Sequence, residues 1–427
     1  MLKLNTKRTI LVGFAFLSIC SFWQLYDSVI PLILKNTFHI GDTLSGGIMA
    51  IDNVLALFML PLFGSLSDKT STRIGKRMPY IICGTAAAVV FMNLMAIADT
   101  KVNLIMFMVF LGLTLISMAT YRSPAVALMS DVTHKQLRSK ANAIINLMGT
   151  VGAILSLVLI KVGMPSSGRV NYSILFGAVS AIMVTAVAIL FITIRENALV
   201  AEREELERRF PTVDDMEQES GNAALSKEIK KSLIGILLCI FFFFMAYNAV
   251  TTAFSKYAQG YLGLAGGNFA GVMMIATVVA TLSYVPIGMV TSKIGRKKAV
   301  LGGILIMAGS FAAAACIKTY SDVFKIILSL MGMGYASIIV NTLPMVVEMS
   351  KGSDIGKYTG IYYTFSMSAQ IITPVLSGAL LEYVGYFTLF PYAVVCLVVS
   401  FIAMLGVKHG DSAVVEKKGL EAFDVDD

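Results

Sequence analysis

Apolar residues in this chain come in long, nearly unbroken runs, and polar residues collect in the short intervals between them. Twelve runs stand out, at 10–34, 44–66, 79–98, 102–129, 139–161, 171–194, 231–257, 268–290, 299–317, 323–348, 357–382 and 386–407. Each is close to or beyond the roughly 20 residues an α-helix needs to cross a bilayer. Hydrocarbon offers no partner to a backbone N–H or C=O, so each run must pair those groups within itself and is predicted to be helical. The ends of 102–129 and 323–348 are the least defined, because both runs continue past a proline and a charged residue. The fold class that follows is an all-α membrane protein of twelve transmembrane helices.

One polar interval is much longer than the rest: RENALVAEREELERRFPTVDDMEQESGNAALSKEIKK, between the sixth and seventh runs. It divides the chain into an N-terminal six-helix bundle (1–195), a central cytoplasmic loop (196–230), a C-terminal six-helix bundle (231–408) and a tail (409–427). AEREELERR has the i,i+4 charge pairs of a surface helix, but the interval as a whole reads as a solvated linker. The acidic tail EKKGLEAFDVDD reads as disordered.

The halves echo each other. GSLSDKTSTRIGKRMPY follows the second run, and GMVTSKIGRKKAV follows the eighth, which is the second run of the second half. PAVALMSDVTHKQLRSKANAI closes the fourth run, and PMVVEMSKGSDIGKYTGIYY closes the tenth. Matching motifs at matching positions imply a duplicated six-helix unit, two pseudo-symmetric bundles of the kind transporters use.

Composition narrows the class. The chain is 57% hydrophobic and 14% charged, against about 25% charged in soluble proteins. A net charge of +8 would suggest nucleic acid in a soluble chain. Here most Lys and Arg lie in the loops on one side of the membrane or within three residues of a run end, with Arg122 alone deep inside a run. The positive-inside rule then puts both termini in the cytoplasm and gives the charge to the lipid bilayer, not to nucleic acid. The N-terminal run reads as a retained first helix. The five cysteines all fall in apolar runs and read as buried small hydrophobes. HExxH, CxxC and Walker patterns do not occur, and the three histidines lie in loops. An enzyme is therefore not expected, nor a metal or cofactor, and uphill transport must draw on an ion gradient.

An ionisable side chain at bilayer depth costs about 2.5–3.5 kcal/mol on the insertion scale and is a functional candidate for that reason. Three stand out: Asp27 in WQLYDSVIP, Asp52 in MAIDNVLALF and Arg122 in MATYRSPAV. At about 1.5 Å per residue, Asp27 lies roughly 8 Å and Asp52 roughly 4–5 Å outside the midplane, and Arg122 roughly 10 Å inside it. The two carboxylates can share one outer cavity, where they resist ionising together and so suit proton or cation coupling. By the same ruler Arg122 is too deep to pair directly with either, and is expected to face an inner cavity and hold substrate hydroxyls or a helix-end carbonyl; a side chain snorkelling to the cytoplasmic face is an equal reading. Trp23 and Gln24 share a face with Asp27 on the first helix, and Asn142 and Asn146 share a face on the fifth. The second half contributes Tyr247, Asn248 and Thr251, then Asn341, Tyr363 and Gln370. Amides that bond hydroxyls, with aromatic rings against the CH face of a pyranose, suit a sugar. For any single Asn or Tyr, helix–helix hydrogen bonding is an equal reading.

The loop GSLSDKTSTRIGKRMPY resembles the signature loop of the major facilitator superfamily, matching at Gly64, Leu66, Asp68 and Lys69, with Gly75 displaced by four residues. This longer form is similar to that of the sucrose/proton symporters and, more loosely, the glycoside–pentoside–hexuronide/cation symporters. The block around Ala127, Leu128, Asp131, Arg138, Ala141, Asn142 and Ala143 is similar to the stretch closing the fourth helix of the sucrose-type carriers. Two departures stand out. The arginine that plant sucrose carriers place five residues before the aspartate is Val126 here, and the cation-binding Asp-Pro stretch of melibiose permease reads MLPLFG. The resemblance implies that Gly64, Asp68, Arg73, Gly75, Lys76, Arg77, Asp131 and Arg138 form a gating loop whose charges lock one transport state. It further implies a monomer in the plasma membrane that imports a disaccharide or glucoside with a proton by alternating access. A sodium-coupled glycoside symporter and an exporter of another small metabolite remain as alternatives.

Overall fold

The computed structural model describes residues 4–166, 170–209, 226–349 and 355–411. Linker residues 210–225, the middle of the second-half echo at 350–354 and the tail from 412 onward lie outside the described residues.

Among the described residues every regular element is helical, and twelve helices are long and apolar enough to cross a membrane. The first six are α1 (Thr6–Asn36), α2 (Asp42–Lys69), α3 (Met78–Thr100), α4 (Leu104–Val132), α5 (Arg138–Gly163) and α6 (Tyr172–Thr193). A shorter helix, α7 (Glu196–Arg209), follows. The second set is α8 (Lys227–Gly260), α9 (Asn268–Ile294), α10 (Arg296–Ala315), α11 (Val323–Met349), α12 (Ile355–Tyr383) and α13 (Leu389–Leu405). Asparagine caps set several starts: the side chains of Asn5, Asn103 and Asn171 accept from N–H groups in the first turns of α1, α4 and α6. Helices α4 and α11 run through Pro124 and Pro344 to Val132 and Met349, which resolves the two undefined ends. Neighbouring helices can absorb the hydrogen bond a proline removes. The outer faces carry exposed Ile105, Val162 and Ile192, as expected where the solvent is lipid.

Two sequence expectations change. The stretch read as a solvated linker is helical over Glu196–Arg209, where Arg203–Glu207 and Arg209–Glu205 pair at i,i+4. Arg8 of α1 also holds this helix, through two bonds to Glu202 of 3.0 Å. Of the cysteines, Cys239 and Cys396 are buried, but Cys83 and Cys316 are exposed. A thiol is apolar enough to face lipid as readily as protein.

The chain forms two compact units. The first holds residues 1–39 and 52–218, and the second holds 40–51 and 219–427. In the first, α1 packs on α5 and α6, and α3 packs on α4 and α6. In the second, α8 packs on α12 and α13, and α10 packs on α11 and α13. For these four pairs the packing is the same in both units, so the duplication seen in the loop motifs extends to that part of the packing.

Candidate functional site

The first unit gathers its membrane charges around α1. Trp23, Gln24 and Asp27 are half-buried on one face of that helix, with Asp52 on α2 and Arg122 on α4. The Arg122 guanidinium stacks over the Trp23 ring, 5.6 Å from its centroid. Asp27 lies within electrostatic range of both Asp52 and Arg122, and Asp52 within range of Arg122. The Asn53 amide donates to Asp52 Oδ1 at 2.8 Å. Among the described residues no ion pair joins Arg122 to Asp27 or Asp52, and it acts on them only through space. Phe22 and Tyr26 complete an aromatic wall: Tyr26 stacks on Phe22 and meets Trp23 edge-on, with centroids 5.9 and 5.4 Å apart. Asn142 and Asn146 are half-buried on α5.

The second unit's predicted residues divide by what they bond. Tyr247 stacks on Tyr335 at 4.4 Å, and Tyr363 meets Tyr362 edge-on at 5.5 Å. The Asn248 amide donates to Phe244 O at 3.0 Å, Thr251 Oγ1 to Tyr247 O at 3.2 Å, and the Gln370 amide to Ser366 Oγ at 3.2 Å. These bonds stay within one helix, as does Gln24 to Ser28 in the first unit, so a ligand can compete for the donors without unpacking anything. Asn341 is different. It is 1% exposed, and its amide donates to Thr291 Oγ1 on α9 and Ser337 O on its own helix. It joins two helices, so its expected contact with substrate is corrected to a packing role.

At the cytoplasmic-loop motif, Arg77 is 4% exposed and fully engaged. Its Nε donates to Asp131 Oδ2 at 2.7 Å, and its two terminal nitrogens reach Ser67, the Gly64 carbonyl and Asp68. Lys76 Nζ adds a 3.3 Å pair to Asp131. An aspartate in the last turn of a helix opposes the macrodipole, and the two cations at Asp131 offset that. A Cβ on Gly64 would come within 2.9 Å of Ser123 Oγ, so glycine allows α2 to approach α4 there. Gly75 has φ +121°, a conformation L-residues rarely adopt. Two members of the predicted gating set act otherwise. Arg73 is exposed, and it is its carbonyl that accepts a bond, from the Asn197 amide at 3.1 Å. Arg138 donates to the carbonyls of Ser130 and Thr133 and so closes the C-terminal end of α4.

Sequence reasoning missed three groups. Glu196, 1% exposed, accepts from the backbone N–H groups of Lys76, Arg77 and Met78 at 2.9 Å each, an anion seated on the first turn of α3. Its counterpart is Asp411, beyond the last helix of the second unit, which accepts from Lys297 N at 3.1 Å beside Gly295, φ +91°. Arg296 pairs with Glu348 at 2.6 Å as Arg77 pairs with Asp131. Aligning the ends of the two halves, as well as their loops, would have found both acids. The third group is in the second unit: Lys256 Nζ lies 2.6 Å from Asp42 Oδ1, and Tyr386 OH donates to Asp42 Oδ2 at 2.7 Å. Glu382 caps the adjacent turn by accepting from Thr43 N at 2.7 Å. Lys256 escaped notice because it sits at the predicted edge of its run, whereas α8 continues to Gly260.

A sequence model described as the Major Facilitator Superfamily matches residues 12–285 and 236–423. The chain belongs to that superfamily. It is therefore a multi-pass membrane transporter of the major facilitator fold. Solved structures agree on the fold. A bacterial homologue of the human drug peptide transporters PepT1 and PepT2 aligns with a TM-score of 0.70 at 14% identity, covering 95% of this chain and 98% of that one. The nucleoside transporter NupG aligns at 0.66 and 15%, covering 94% and 100%. The human organic anion transporter MFSD10 aligns at 0.61 and 15%, with the same coverage. No curated protein matches the sequence significantly.

Proposed function

We propose that this transporter is a secondary symporter that imports a sugar, a disaccharide or glucoside, with a proton by alternating access. It works as a monomer in the plasma membrane with both termini cytoplasmic. The observation that carries the reading is the cluster of Asp27, Asp52 and Arg122 around Trp23. Two carboxylates beside one guanidinium hold a surplus negative charge, which one proton neutralises. In the first unit the indole and the exchangeable amide of Gln24 are groups that read a pyranose; in the second, Asn248 and Gln370 carry amides of the same kind. Asp27 is the first coupling carboxyl and Asp52 the second.

The test is uptake of radiolabelled disaccharides into proteoliposomes under an imposed proton or sodium gradient, with Asp27→Asn as control. Proton-driven accumulation lost in the variant supports the reading, and sodium dependence replaces the coupling ion. Uphill, pH-dependent transport by Asp27→Asn removes the assignment of that residue. Arg122 beside two acids also presents both charge signs, which suits a zwitterion. A dipeptide and a nucleoside belong in the panel, since the solved relatives include transporters of both kinds.

A further inference from the structure

Tyr26 is 2% exposed, and its hydroxyl has no hydrogen-bond partner among the described residues. A buried hydroxyl without a partner is costly, and such a group calls for an account. Its surroundings supply one. The side chain stands edge-on to Trp23, which in turn carries Arg122, and both the Asp52 and the Asp27 carboxylates act electrostatically on the phenol. Trp23 Nε1 is a second buried donor without a partner on the same face. The Tyr26 hydroxyl is thus an orphaned donor within electrostatic range of two carboxylates, the natural acceptors.

The charged neighbours are few. Asp27 lies on the same helix, Asp52 comes from α2 and Arg122 from α4, where the Tyr121 hydroxyl is already engaged by Ser18 at 3.0 Å. Helix α5 carries charge only in its terminal turns, at Arg138, Lys140 and Lys161, and α6 carries none, Tyr172 being its titratable group.

We propose that Tyr26 is a positioning residue for proton coupling, donating its hydroxyl proton to the carboxylate pair when the pair is ionised and losing that bond when the pair takes up a proton. The inference rests on the proposed coupling role of Asp27 and Asp52. The phenol keeps its own proton throughout. What changes is its acceptor: a carboxylate oxygen in the unloaded protein, and in the loaded protein a substrate hydroxyl or none. A hydrogen bond to the charged form of an acid favours that form, so Tyr26 sets the pH at which the pair loads.

The chain supplies its own reporter. It has a single tryptophan, Trp23, which lies against both Tyr26 and Arg122. Its fluorescence can be titrated with pH in purified, substrate-free protein, so the readout does not depend on which solute is carried. In the wild type we expect a sigmoidal transition with pH, absent when Asp27 and Asp52 are both replaced by Asn. In Tyr26→Phe the ring and its packing remain, the orphaned hydroxyl goes, and the midpoint moves to higher pH by about one pH unit. A purely structural tyrosine would leave the midpoint in place while thermal stability stayed level or rose, and that result overturns the proposal. A wild type with no transition overturns it as well. The two readings fail separately: an unmoved midpoint with proton-driven uptake intact removes Tyr26 alone, whereas flat fluorescence and proton-independent uptake remove the coupling reading with it.

Discussion

Lys256 is the most consequential charge the runs concealed, and its partner is testable. Both side chains of the Lys256–Asp42 pair are almost fully withdrawn from solvent, at 5% and 9% exposure, and the second carboxylate oxygen is taken by Tyr386. Removing one partner of such a pair leaves an uncompensated buried charge and costs about 3–5 kcal/mol, whereas removing both at once is often close to neutral. Asp42→Asn and Lys256→Met should therefore each lower the apparent melting temperature by about 10 °C. The double variant should recover most of that loss. Unfolding can be followed in detergent with a thiol-reactive dye that reads buried Cys239 and Cys396, in a background where Cys20, Cys83 and Cys316 are serine. Tyr386→Phe, which removes one bond to a charged acceptor, should cost about 1.5–3 kcal/mol. If the two single losses simply add in the double variant, the residues do not stabilise each other and the reasoning is wrong.

Three further outcomes follow from the geometry. Glu196→Ala should expose the amides of residues 76–78 to hydrogen exchange and cost about 1–3 kcal/mol. Glu196→Gln, which keeps an acceptor oxygen, should lose less, and equal protection in all three proteins would remove the capping role. Gly75→Ala forces an L-residue into a left-handed conformation, at about 1–2 kcal/mol or more, and its Cβ would meet Glu196. Folded yield should fall further than for Gly64→Ala, where only the Ser123 hydroxyl must move. Asn341→Ala should lower stability without changing substrate affinity, while Asn248→Ala should weaken affinity at unchanged stability. A reversed pattern in transport and melting assays would return Asn341 to the binding site.

The helices could be read from the chain because the requirement behind them is local. An apolar run of about 20 residues in hydrocarbon must satisfy its own backbone, so its length and composition suffice. Duplication was legible for the same reason, since both copies of the loop motif kept their place after the second helix of each half. Asp27, Asp52 and Arg122 were visible because a charge in an apolar run carries a cost wherever the run packs.

Partnership was another matter. Nothing in the order of residues says that Arg77 is spent on Asp131 while Arg73 offers only its carbonyl, or that Asn341 joins α11 to α9 while Asn248 bonds within its own helix. Glu196 reads as one more acid in a charged stretch until α3 is folded against it. These assignments depend on which faces meet across separations of tens to hundreds of residues. A hydrogen bond is made or lost over a few tenths of an ångström, far finer than any spacing rule along one helix can resolve.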